Sequence, residues 1–251
     1  MSYLTNPYRY VVLDNYPDSL GTTADMTETN ASLDTSGQLL GSGCVDFNGT
    51  SAYADLGGSV SDYSFLTQKF SLSMWLYPVI AHQDIIFDSM DANTGDVGFL
   101  MRFNTYSGTK TVMAGISDGT TFESYDSSDS FTDSAWQSLI ITYDGTTMKT
   151  YRNTALVGSG AVASNTNTPS FVPRLAWAAS GRDNRMEALV DDFALFDNRV
   201  LTSGEISSIY NSGSGELISN VFVAGDRAGI KAYYNMDAIS GSTIANNANV
   251  T

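Results

Sequence analysis

A strand–turn–strand rhythm constrains this chain more than any other feature. CVDFNGTSAYADLG sets Asn48-Gly49 between two short apolar runs, TVMAGISDGTTFESY does the same around Asp118-Gly119, and WQSLIITYDGTTMKTYRN around Asp144-Gly145. Asn-Gly and Asp-Gly suit tight hairpins because the central residues of those turns need positive φ. DIIFDSMDANTGDVGFLMRF adds a strand, an Asp/Asn/Gly loop and a second strand. In KFSLSMWLYP, Phe70, Leu72, Met74 and Leu76 share one face, and Ser71, Ser73, Trp75 and Tyr77 share the other. Pro78 has no N–H to donate, so it is expected to end that strand's access to a central ladder. Residues 8–13 read as a first strand, and 158–169 as the most linker-like loop. Regular hairpins with little helical periodicity specify an all-β fold, a two-sheet antiparallel jelly-roll sandwich.

The block at 189–213 supplies the one exception. A β-rich run containing Asp191 passes through Asn198 and Arg199 into Thr202-Ser203-Gly204-Glu205. Thr202 and Glu205 have capping-box spacing. Ile206, Ile209 and Tyr210 then fall at i, i+3 and i+4, which gives one apolar face. Gly213 stops the turn. The spacing predicts one short helix over 203–211.

Composition removes several function classes. The formal net charge is −15, from 27 acidic and 12 basic residues, and only five of the acids are glutamate. Aspartate places that charge in turns and loops. The resulting field opposes phosphate backbones, so no nucleic-acid partner is expected. No stretch approaches the ~18 apolar residues of a membrane span, so no membrane insertion is expected. A single cysteine, Cys44, excludes an intrachain disulfide and reads as a buried, inert thiol. MSYLTNPYRY lacks a basic stretch followed by an apolar one, so the expectation is cytosolic synthesis without a signal peptide.

Several of these segments carry a family pattern in order. They are Val45-Asp46-Phe47-Asn48-Gly49 with Tyr53-Ala54-Asp55-Leu56, then Phe70-Ser71-Leu72-Ser73-Met74-Trp75, then Trp136 through Tyr143-Asp144-Gly145 to Tyr151, and finally 189–213. Over residues 44–213 the chain resembles the laminin-G-like domains of the concanavalin A-like lectin/glucanase superfamily. The resemblance implies a β-sandwich binding module, with Trp75 and Trp136 in core positions and Asp191 an architectural strand aspartate. Two departures stand out. Asn153-Thr154 replaces the usual (Asp/Asn)-Gly turn. The family's opening strand looks displaced to the C-terminal end, as Lys231-Ala232-Tyr233-Tyr234-Asn235-Met236-Asp237 before Ser240-Gly241-Ser242-Thr243. Three segments follow: an N-terminal strand and polar loop (1–43), the sandwich core (44–213), and a C-terminal strand segment (214–251) completing this sandwich or a neighbour's.

Catalysis finds little support. Glycosidases need two carboxyls about 5–5.5 Å or about 6.5–9.5 Å apart. The five glutamates Glu28, Glu123, Glu187, Glu205 and Glu216 never fall at the alternate spacing of this fold's glucanases. Glu187 and Asp191 share a strand face but lie about 13 Å apart along the backbone. His82 is the only histidine, so zinc lacks ligands. Calcium is the one cofactor the residues allow for, with Asp88, Asp91, Asn93 and Asp96 as the ligand pool. The competing reading of that loop is simple hairpin-turn chemistry. Tyr106, Tyr125 and Trp177, nearest the expected turns, are the candidates for stacking on a sugar. Arg174, Arg182, Arg185 and Arg199 form the local excess of positive charge; solvated loops are the favoured reading of them, and pairing with the chain's own aspartates or an acidic neighbour is the alternative.

The function these features point to is a non-catalytic, lectin-like structural or attachment protein on a viral (phage) particle or similar assembly. Its partners would be other virion or assembly proteins, further copies of itself, or a glycan. A carbohydrate-binding module is the alternative, and a glycoside hydrolase or lyase the third reading. The expected location is a virion, or the extracellular space after cytosolic synthesis.

Overall fold

The computed structural model describes residues 25–90, 95–105, 109–128, 131–178, 185–222 and 226–245, so the strand expected at 8–13 lies outside the described residues. In chain order the first strands are β1 (Met26–Thr29), β2 (Ser32–Asp34), β3 (Cys44–Asn48), β4 (Tyr53–Asp55) and β5 (Phe70–Val79). Three hairpins follow: β6 (Ile85–Asp88) with β7 (Val97–Asn104), β8 (Thr111–Asp118) with β9 (Phe122–Asp126), and β10 (Gln137–Tyr143) with β11 (Thr147–Arg152). Next come β12 (Ala155–Ala161), β13 (Arg174–Leu175) and β14 (Glu187–Asp197). The helices α1 (Ser203–Tyr210) and α2 (Ile218–Val221) precede β15 (Ile230–Tyr234) and β16 (Thr243–Ile244).

These strands form two antiparallel sheets. The first runs β16-β1-β4-β13-β6-β7-β8-β9, and the second β12-β11-β10-β5-β14-β3-β2, with β15 also paired to β14. Between them lie Phe47, Phe70, Leu72, Met74, Phe87, Phe99, Phe103, Ile141, Phe193 and Tyr234, all fully buried. The fold is the expected jelly-roll sandwich. Its turns follow from sequence: Asp118 Oδ1 accepts from the N–H groups of Thr120 and Thr121, and Asp144 Oδ1 from those of Thr146 and Thr147. Gly119 and Gly145 supply φ values of 93° and 97° that a Cβ would oppose.

β14 is the spine of the second sheet. It pairs with β5 along one edge, and along the other with β3 over 187–190 and then with β15 over 193–196. A bulge between Asp191 and Ala194, with Asp192 at φ 51°, separates the two halves. The C-terminal strand β15 thus continues the line of β3 within the same chain.

The structure corrects the sequence reading at several points. Ser71 and Ser73 are buried despite lying on the outer face of β5, beside Trp75, whose burial agrees with the core position the family resemblance implied. A third layer covers them: Ile206, Ile209, Ile218, Phe222 and Tyr233 pack on Ile140, Ala194 and Phe196. Tyr210 stacks on Trp75 at 5.8 Å. β5 is central and runs through Pro78, which sits opposite Ala188 of β14. Its missing N–H points to the β10 side, where its carbonyl accepts from Ser134 and the β10 ladder has already ended at Leu76. No ladder bond is therefore lost. A 3₁₀ helix over Val60–Thr67 and α2 join the single helix expected. Gly158 and Gly160 belong to β12, where a Cβ at Gly160 would meet Tyr125 Cβ at 2.7 Å.

Candidate functional site

Register places a polar row across the outer face of the first sheet. Thr27 pairs with Asp55, Asp55 with Arg174, and Arg174 with Asp88. Arg174 grips Asp55 with both arms of its fork, Nε to Oδ1 at 2.6 Å and Nη2 to Oδ2 at 3.1 Å. This bidentate pairing fixes the plane of the guanidinium.

Immediately after β13 the chain breaks strand alternation. Leu175 and Ala176 both face the main core, and Ala176 sits at φ 68°. A left-handed alanine costs about 1–2 kcal/mol, a strain of the kind that concentrates at functional positions. Here it returns Trp177 to the outer face, beside Tyr53, with ring centroids 4.9 Å apart. The Arg174 guanidinium carbon lies 4.1 Å from the Tyr53 ring centre, and that of Arg185 lies 3.9 Å from the Trp177 ring centre. Two aromatics, tilted 57° to each other, and two cations over their faces thus form one cluster, called the stack below. Ile85, Leu100, Met113 and Ala178 pack beneath Trp177. Beside the stack opens a cleft of about 510 Å³, lined by Thr27, Asp55, Gly57, Gly58, Phe171 and Arg174 among others. Phe171 is 36% exposed at its rim.

Among the expected site residues, Trp177 is the one that this arrangement uses. Tyr125 lies in β9, away from any loop tip, with its hydroxyl 2.7 Å from Thr150 Oγ1 and its ring against the main core. Tyr106 lies outside the described residues. Asp88 is fully buried, and its Oδ1 accepts from the N–H of Met90; Asp96 precedes β7. Asp91 and Asn93 lie outside the described residues, and among those described no three acidic, histidine or cysteine side chains assemble to hold a metal. The basic set divides. Arg174 and Arg185 join the stack, Arg182 lies outside the described residues, and Arg199 binds Glu205 and Asp226 while covering Phe222.

Sequence reasoning missed Tyr53 and Asp55 as site residues, since they were absorbed into the opening strand pair. Local spacing carried no signal, because these residues meet Arg174, Trp177 and Arg185 only through strand pairing. The carboxylates weighed for hydrolysis stand apart: Glu187 is exposed, whereas Asp191 is enclosed, its Oδ2 accepting from the N–H groups of Leu39 and Leu40.

The family model of the concanavalin A-like lectin/glucanases superfamily, Laminin_G_3, matches residues 48–207. No curated protein sequence matches the chain. Among solved structures, the binding domain of Paraclostridial mosquitocidal protein 1 superposes with a TM-score of 0.56 at 13% identity, covering 76% of this chain and 48% of that one. A botulinum neurotoxin type C structure, whose cell entry is described as dependent on two ganglioside molecules, gives 0.56 at 13% identity over 75% and 46%. The binding domain of botulinum neurotoxin DC, in complex with rat synaptotagmin II, gives 0.57 at 13% identity over 75% and 46%. The chain spans about half the length of these toxin domains, and the likeness is one of fold.

Proposed function

Because the chain belongs to the concanavalin A-like lectin/glucanase superfamily, we propose that it is a non-catalytic, lectin-like attachment domain that binds glycans at the outer face of its first sheet. The observation that carries this reading is the open cleft beside the Tyr53–Arg174–Trp177 stack. Sugar sites pair apolar, aromatic walls with a few fixed polar groups. Here Phe171, Leu56 and Val172 offer the first, and Thr27 and the Asp55–Arg174 pair the second. The binding domains among the fold's neighbours support recognition over turnover, as does the contrast between exposed Glu187 and enclosed Asp191.

A glycan array tests the reading. Saturable binding to one glycan class is expected, with at least a tenfold loss in a Trp177→Ala variant that keeps its melting behaviour. Absence of binding to every glycan would contradict it. The setting we propose is the surface of a viral particle or similar assembly. Immunogold labelling checks that setting: label on assembled particles is expected, and label confined to unassembled material would oppose it.

A further inference from the structure

Three of the chain's 12 basic residues, Arg102, Arg174 and Arg185, stand on neighbouring segments at the outer face of the first sheet. Arg174 is committed to Asp55. The other two are not so engaged. Arg102 stands on β7 opposite Ile85, and Arg185 bridges the same Ile85 from the other side. Two strand spacings put their backbones about 9–10 Å apart, close enough for two long side chains to converge on one group. The Nε atoms of both are buried and have no hydrogen-bond partner among the described residues. On the Ile85 segment the Asp84 carboxylate accepts from the N–H groups of Ala81 and His82, and Asp88 Oδ1 accepts from Met90.

Buried donors without partners are costly, and this chain has 27 acidic residues available to satisfy them. Instead, the Arg185 guanidinium carbon lies over Trp177, 3.9 Å from the ring centre. An aromatic face orients a guanidinium while leaving its edge donors unspent. Paired forks of that kind match the oxygens of a carboxylate or sulfate.

We propose that Arg102 and Arg185 form an oxyanion subsite taking the acidic group of a sugar, a carboxylate or a sulfate, on the same sheet face as the glycan cleft. This inference rests on the glycan-binding reading above. The net charge of −15 sharpens it. Such a field repels dense polyanions at long range, so an isolated acidic residue on an otherwise neutral glycan is the favoured ligand.

The test is direct binding of immobilised neutral, sialylated, glucuronylated and sulfated glycans, together with methyl esters of the carboxylated ones. The acidic forms are expected to bind about tenfold or more tightly than neutral forms and esters, and the sulfated and carboxylated arms identify the group. Arg102→Gln and Arg185→Gln should each abolish the preference, while Arg185→Lys, which keeps charge but loses the fork, should restore it only in part. Comparing acid with ester on the unaltered protein keeps the test valid if a variant misfolds. Equal binding of acids, esters and neutral glycans would overturn the subsite and leave the glycan reading standing. Binding to no glycan would overturn both.

Discussion

Asp191 and Asp192 stand side by side at the bulge of β14, and both are fully buried. Asp192 accepts from Tyr233 Oη at 2.7 Å and from the Ile218 N–H at 3.1 Å, which ties the third layer to the sheet. Burial dominates these donors and pushes Asp191 up to about 7 and Asp192 up to about 8. Both lie above the ordinary 3.8, so the fold favours the protonated forms. The stability they contribute is complete below about pH 4 and is lost as pH rises through about 7 to 8. Asp192→Asn keeps an acceptor for Tyr233 and tolerates a left-handed backbone. It should flatten the fall in melting temperature between about pH 5 and pH 9; an unchanged pH profile would contradict this assignment. Burial likewise pushes the Cys44 thiol up to about 12, so thiol reagents near neutral pH should modify it only after unfolding. Residue-level legibility was uneven. The inert cysteine could be read from its apolar neighbours. Asn153 could not be read as the glycine substitute it is, at φ 59° with its Oδ1 accepting from the Ser138 N–H.

Elements announced by chemistry at their ends were legible, and short elements held only by tertiary contacts were not. α1 is such an announced element: Thr202 Oγ1 accepts from the Glu205 N–H, and Glu205 reaches back to the Thr202 N–H. Thr202→Ala should lower stability by about 1 kcal/mol in chemical denaturation. α2 has four residues and no side-chain cap, and β13 has two residues, so neither leaves a periodic trace. Their existence follows from Phe222 and Leu175, both fully buried. Phe222 packs edge-on to Phe196 at 5.3 Å beneath Arg199. Phe222→Ala should cost about 3–5 kcal/mol, and a cost near zero would show that the third layer is not docked. The outer face of β5 misleads for the same reason, since alternation of Ser with Trp reports an outer face but not whether anything covers it.

At the scale of the molecule, the two-sheet plan was legible because hairpin turns are local, whereas the site was not, because its residues come from β4, β7, β13 and the segments that follow β13 and precede β14. Only Trp177 and the arginines at 174 and 185 carried a signal, as an aromatic near a turn within a basic excess. The C-terminal segment belongs to the same scale. β15 pairs with β14 and sends Ala232 and Tyr234 into the main core, and a tethered strand has a high effective concentration for its own sheet. Removing residues 216–251 should therefore unfold the chain even when dilute. A truncated chain that stays folded but no longer assembles would instead indicate strand exchange between copies. The central claim is that recognition occurs on the outer face of the first sheet. Chemical-shift mapping of the isotope-labelled protein, titrated with whichever glycan binds on the array, tests it most directly. The account predicts perturbations clustered at Tyr53, Asp55, Phe171, Arg174, Trp177 and Arg185; perturbations centred on α1, α2 and the outer face of the second sheet would contradict it.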